Sequence, residues 1–237
     1  MRTVQAVAWK EIQIYFSSPT AYIVAMIFLA LASFFFVRDL SNPFPQASMS
    51  SFFQGATIIL ILLAPTLTMR LLAEEQKLGT IELLLTSPVR DWEVILGKYI
   101  ASLVFLLGTI VLTLYFVLLL VIFADPDPGP IWSGYLGLIL YGAAALSVGL
   151  LTSTLTSNQI VAAVVAMGIL LVLYFTDFAA ATLTGLPATI VNEIGLKSHF
   201  DDFERGVIDT KHIAYYLLLT SFFVFLSIRA LESRRWR

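Results

Sequence analysis

Long apolar stretches separated by short polar segments run along the whole chain. Six of them are long enough to cross a hydrocarbon core, which takes about 20 helical residues. They predict an all-α polytopic membrane protein with six transmembrane helices, at residues 20–37, 52–72, 95–124, 132–155, 159–178 and 212–231. No linker, repeat or internal duplication divides the pattern, so we expect one transmembrane domain over residues 1–237.

An amphipathic segment precedes the first span. Over residues 3–16, apolar side chains recur at helical spacing, whereas Lys10 and Glu11 lie away from that stripe. This pattern is typical of a helix lying in the membrane interface, with Trp9 near the lipid headgroups. The alternative is a cytoplasmic extension of the first span that is kinked at Pro19.

The segment between the second and third spans, residues 72–90, is charged and amphipathic. Gly79 is suited to end one helix in a left-handed conformation, and Thr80 can cap the next. Glu82 then lies in the first turn of that next helix, where a negative charge is favourable. The sequence therefore predicts a short helix in this segment, after the second span.

The predicted short helix has an apolar face formed by Ile81, Leu84 and Leu85. Ser87 and Pro88 follow it and are typical of the start of another helix. An apolar face outside the bilayer favours docking onto a partner. An ordinary solvated loop is the alternative interpretation.

The distribution of charge sets the expected orientation. The chain is 59% hydrophobic and 13% charged, well below the roughly 25% charge of average soluble domains. Of the 14 basic residues, four fall on one side of the six-span arrangement: Arg38, Lys197, Arg205 and Lys211. The basic excess on the other side predicts cytoplasmic termini and a cytoplasmic 72–90 segment. Lys98 lies near a cytoplasmic end, where we expect its long side chain to snorkel.

Residues 179–211 form the longest external segment and mix apolar pairs with charges. We expect one or two short helices that re-enter the membrane surface before the last span. His199 and His212 lie close to several acids, so a metal site is conceivable. The spacing matches no metal-ligand motif, and we therefore predict no metal there.

Catalytic and nucleotide-binding motifs are missing from the sequence. There is no phosphate-binding loop, no zinc-protease motif and no serine nucleophile elbow. The absence of cysteine excludes thiolate chemistry, and the net charge of −2 gives no reason to expect nucleic-acid binding. We predict a non-catalytic membrane subunit with no cofactor of its own, powered by another chain.

These features resemble the permease subunits of type-2 exporters of the ATP-binding-cassette superfamily, the ABC-2 permeases. The most specific part of the resemblance is a run comprising Glu75, Gly79, Thr80, Glu82, Leu84, Leu85, Ser87 and Pro88. The start of the chain is similar to the elbow helix of that family, with Trp9, Lys10 and Glu11. The end is similar to a branch that contains gliding-motility and nitrous-oxide-reductase-maturation permeases, although a large external insertion is missing.

The resemblance implies a functional assignment. The 72–90 segment would hold a coupling helix that enters a groove on an ATPase dimer. Glu74 and Ile81 would also belong to this interface. ATP and magnesium would bind to the ATPase. A second copy of this chain or a related permease would complete the transport pathway in a bacterial cytoplasmic membrane. Membrane lipids would surround the complex, and some complexes would also contain an accessory membrane or periplasmic subunit. The expected function is ATP-driven export of an unidentified substrate. The alternatives are force transmission without transport and a scaffold without an ATPase.

Overall fold

The computed structural model describes residues 2–40, 48–81, 89–182 and 184–234, and nearly all of them are helical. The helices in these ranges are α1 (Arg2–Ser17), α2 (Pro19–Leu40), α3 (Ser50–Thr68), α4 (Ala73–Lys77), α5 (Asp91–Leu112), α6 (Leu114–Phe123), α7 (Pro128–Leu155), α8 (Gln159–Tyr174), α9 (Thr176–Thr182), α10 (Leu186–Ile194), α11 (Leu196–Glu204) and α12 (Thr210–Arg234).

Within those ranges, six helical stretches are long and apolar enough to cross a membrane. They are Pro19–Arg38, Ser50–Lys77, Asp91–Phe123, Pro128–Leu155, Gln159–Thr182 and Thr210–Arg234. This confirms the predicted all-α polytopic architecture. The orientation and the single-domain boundaries stay predictions.

Two predicted spans differ from the observed helices. The second was predicted to continue to residue 72, but α3 ends at Thr68 and turns follow. The third was predicted to be continuous, but it is divided into α5 and α6 at Thr113. The Thr113 hydroxyl donates to the carbonyl of Ile110 at 2.6 Å. Such a bond to the preceding turn competes with regular helical bonding.

Helix α7 lies at the centre of the bundle and packs against α3, α5, α8, α11 and α12. Small residues allow the close approaches. A side chain at Gly149 would overlap the hydroxyl of Thr68 on α3, and one at Gly142 would meet the side chain of Leu106 on α5 at 2.5 Å. Most of α3 and α7 is buried, whereas only a minor fraction of α2, α8 and α12 is fully buried within the chain.

The 179–211 segment contains two helices that follow α9. Phe200 and Phe203 of α11 are fully buried beside α7. The Ser133 hydroxyl of α7 donates to the carbonyl of Phe203 at 2.6 Å. Of the one or two short helices predicted here, the structure has two, α10 and α11. Their depth in a membrane stays a prediction.

Candidate functional site

Helix α4, which begins the predicted coupling segment, is attached to the end of α7. The backbone amides of Leu72 and Ala73 both donate to the Ser153 hydroxyl oxygen at 3.1 Å. The Gln76 side-chain amide donates to the carbonyls of Ser153 and Thr154, at 3.2 and 2.9 Å. Ser153 and Thr154 are fully buried. These bonds supply partners to backbone groups at the start of α4 and at the end of α7, so they fasten the two helices to each other.

Gly79 lies just after α4 and has the left-handed conformation that the sequence predicts, with φ of +71°. Any residue other than glycine is strained there. The Thr80 hydroxyl donates back to the carbonyl of Glu75 at 3.3 Å, and Ile81 is 9% exposed. The remaining predicted coupling residues, Glu82, Leu84, Leu85, Ser87 and Pro88, lie outside the described residues.

A buried lysine joins three separate parts of the chain. The Lys98 ammonium of α5 lies 2.7 Å from the Glu11 carboxylate of α1 and 2.8 Å from the Glu75 carboxylate of α4. We call these three residues the ion triad. Lys98 is 2% exposed and Glu11 is 7% exposed. Among the described residues, the second oxygen of Glu75 has no hydrogen-bond partner.

The ion triad corrects two sequence-based predictions. Lys98 does not snorkel toward the headgroups, and Glu11 does not belong to an exposed polar face. The physical reason is that a buried ammonium is costly unless opposite charge neutralises it. Glu11 of α1 and Glu75 of α4 provide that charge, so both side chains turn toward α5.

Helix α1 lies directly on α5. A side chain at Gly97 would approach the Val7 side chain to 2.7 Å, which marks a close crossing of the two helices. The Tyr15 ring stacks on Phe105 with 5.2 Å between centroids, and its hydroxyl donates to the carbonyl of Leu67 at 2.8 Å. Helix α1 is therefore a separate helix held by α5 and α3. Its place in the membrane interface stays a prediction.

The predicted elbow residues thus have different environments. Trp9 is 63% exposed and Lys10 is also exposed, whereas Glu11 is buried in the ion triad. In the coupling segment, Glu74 is exposed while its neighbour Glu75 is partly buried. The structure therefore joins Glu11 and Glu75 through Lys98, and it leaves Trp9, Lys10 and Glu74 on accessible surfaces.

The polar residues of α11 and of the start of α12 form a structural cluster. His199 is stacked on Tyr215 with 3.8 Å between ring centroids, and its Nδ1 lies 3.0 Å from the carbonyl of Gly195. His212 Nε2 lies 2.8 Å from an oxygen of Asp202. Burial lowers the pKa of His199. Across the described ranges, no group of three potential ligands is placed to hold a metal ion.

Comparisons with known proteins give a family and two relatives. A family model described as an ABC-2 family transporter protein matches residues 37–196. A protein named probable multidrug ABC transporter permease YbhR, from Escherichia coli strains K12 and O157:H7, is 30% identical over 87 residues. That alignment covers 37% of this chain and only 23% of each relative.

Proposed function

The chain belongs to the ABC-2 family of transporter proteins, and from this premise we propose that it is the permease subunit of an ATP-driven exporter. The family consists of membrane subunits that are normally non-catalytic. In this proposal, a separate ATPase dimer binds ATP and magnesium in the cytoplasm. Two permease copies, or this chain and a related one, form the pathway in a bacterial cytoplasmic membrane.

The attachment of α4 is the observation that carries the proposal. Ser153 and Gln76 connect α4 to α7, and the ion triad connects it to α5 and α1. A displacement of the 72–90 segment is therefore transmitted to two spans and to α1 together. This is the property that a coupling segment needs, because an ATPase acts on it from outside the bilayer.

The exposed surface of α4 supports contact with an ATPase. Lys77, Leu78 and Thr80 are all exposed, so charged, apolar and hydroxyl side chains are available beside Gly79. The predicted coupling segment continues this surface beyond Gly79, although Ile81 itself is buried. We propose that the exposed side chains of the 72–90 segment contact the ATPase, with α4 as the fixed base of the segment.

The substrate class is open to direct measurement. The E. coli relatives carry the name of a probable multidrug permease, so fluorescent amphipathic drugs are suitable first substrates. The permease and its co-purifying ATPase are reconstituted in liposomes, and ATP-dependent dye movement and ATP hydrolysis are measured together. Movement coupled to hydrolysis supports an exporter.

Variants make this experiment specific. Gln76→Leu removes the amide that binds the end of α7, and it is compared with Gln13→Leu, which changes an exposed glutamine of α1 outside the 72–90 segment. We expect loss of permease-stimulated hydrolysis only for Gln76→Leu, with normal recovery of the complex. Equal stimulation by both variants contradicts the proposed transmission path. Stimulated hydrolysis without movement of any tested compound favours force transmission, and failure to recover an ATPase favours a scaffold.

A further inference from the structure

A cavity of about 350 Å³ lies where α1, α2 and the end of α3 meet α4. Its size falls in the roughly 300–1,000 Å³ range of small-molecule sites. Five charged side chains line it: Glu11, Arg70, Glu74, Glu75 and Lys98. We call this space the interface cavity. It lies beside the ion triad, at the end of the bundle where α1 packs.

Two of the five charged side chains lie outside the ion triad. The other three, Lys98, Glu11 and Glu75, are bound to one another within it. The Arg70 guanidinium donates to the Thr20 hydroxyl at 2.9 Å, and neither it nor the Glu74 carboxylate has an ion-pair partner within the described part of the chain. Arg70 and Glu74 thus line one cavity without pairing with each other. Their opposite charges match a zwitterion.

The interface cavity continues into an apolar groove. The groove has a volume of about 120 Å³ and runs between α2 and α3, lined by side chains that include Leu31, Ile59 and Leu62. Val24 and Thr66 line both spaces. The lining therefore changes from charged to apolar along the two candidate spans, as the surface of a phospholipid changes from headgroup to acyl chain.

We propose that the interface cavity binds one phospholipid with a phosphoethanolamine headgroup. The phosphate lies against Arg70 and the Thr20 hydroxyl, because a guanidinium and a neighbouring hydroxyl suit phosphate oxygens. The primary ammonium lies against Glu74, and one acyl chain lies along the groove. Thr66 stands at the transition between the two parts.

Headgroup chemistry distinguishes this lipid from other common ones. A glycerol headgroup supplies the phosphate but no cation for Glu74. A choline headgroup supplies a cation without N–H donors, so it forms no charge-assisted hydrogen bond with the carboxylate. Only the ethanolamine headgroup of these three satisfies both ends of the site with hydrogen bonds.

The experiment is native mass spectrometry of the full-length protein with phosphatidylethanolamine, phosphatidylglycerol or phosphatidylcholine of identical acyl chains. We expect one phosphatidylethanolamine to be retained most tightly by the wild type. Glu74→Gln should weaken that binding about tenfold or more, because a charge-assisted bond is lost, and leave phosphatidylglycerol unaffected. Arg70→Gln should weaken the binding of both lipids, and Thr66→Trp should weaken all three by obstructing the groove.

Matched controls remove exposed charges outside the cavity. Lys77→Gln is the control for Arg70, and Asp125→Asn is the control for Glu74; both side chains are exposed and neither lines the cavity. The proposal is overturned if the three lipids bind equally to the wild type, or if the controls weaken binding as much as the cavity variants. It is also overturned if soluble glycerophosphoethanolamine binds as tightly as the lipid, since the groove then contributes nothing.

Discussion

Removing the charge of Lys98 tests the ion triad most directly. Lys98→Met keeps the length of the side chain but leaves the buried Glu11 carboxylate without its counter-charge. Removing one partner of a buried ion pair costs about 3–5 kcal/mol. We expect a loss of unfolding free energy of about this size. Glu75 is less affected because its side chain retains 22% exposure and can reach water.

A compensating variant separates charge from packing. Glu11→Leu combined with Lys98→Met replaces the buried pair by apolar side chains, a change that is often neutral or stabilising in other proteins. We expect the double variant to recover most of the stability lost by Lys98→Met. Stimulation of the ATPase should stay low in both variants, because Glu75 of α4 is no longer bound to α5.

The assay is unfolding by sodium dodecyl sulfate in mixed micelles, followed by tryptophan fluorescence. Lys10→Met serves as a control because Lys10 is exposed on the same helix as Glu11 and lies outside the 72–90 segment. Hydrolysis is measured on the same preparations after reconstitution with the ATPase. The reasoning is refuted if Lys98→Met unfolds at the wild-type midpoint, or if the double variant is no more stable than the single one.

Three further predictions follow from local geometry. Gly79→Val should cost about 1–2 kcal/mol from its positive φ and reduce ATPase stimulation, whereas Gly108→Val, which meets no atom within 4 Å, should leave stimulation unchanged. Cysteines at Thr184 and Ser157, both exposed, should react with an impermeant reagent from opposite sides of the membrane; labelling from one side alone contradicts the six-span orientation. Burial lowers the pKa of His199, so below pH 6.5 the unfolded chain binds more protons at this position than the folded protein does. The free energy of unfolding should therefore fall as the pH drops below 6.5. His199→Phe should make this fall smaller in unfolding curves measured across pH.

The six candidate spans were predictable from the sequence because a helix that can cross a bilayer needs a long apolar stretch, which is visible in the sequence itself. The left-handed conformation of Gly79 was also predictable, since glycine is the residue that adopts it at little cost. Helix ends were less predictable. The end of α3 depends on Ser153, which lies 81 residues from the Leu72 amide that it binds. A contact with so distant a hydroxyl cannot be predicted from the local pattern of apolar and polar residues.

The ion triad was missed for a related reason. Helical periodicity assigned Glu11 to a polar face, and the position of Lys98 near a span end suggested contact with water. The structure brings these residues together across 87 positions of sequence. A signal was nevertheless present, because an ionisable residue within an apolar helix requires a partner. The acids of the two segments that flank the second and first spans, which include Glu75 and Glu11, are the candidate partners that this requirement indicates for Lys98.

The polar and apolar parts of the bundle suggest a division of mechanical roles. In the centre, α3 and α7 meet through the contact of Gly149 with Thr68, which leaves little space for independent movement. At one end, α1, α4 and α5 meet through charged side chains around the interface cavity. Such contacts can rearrange without opening a void in a packed core. We therefore expect a displacement of α4 to rearrange the contacts among α1, α4 and α5 first. Helices α3 and α7 should then move as one unit.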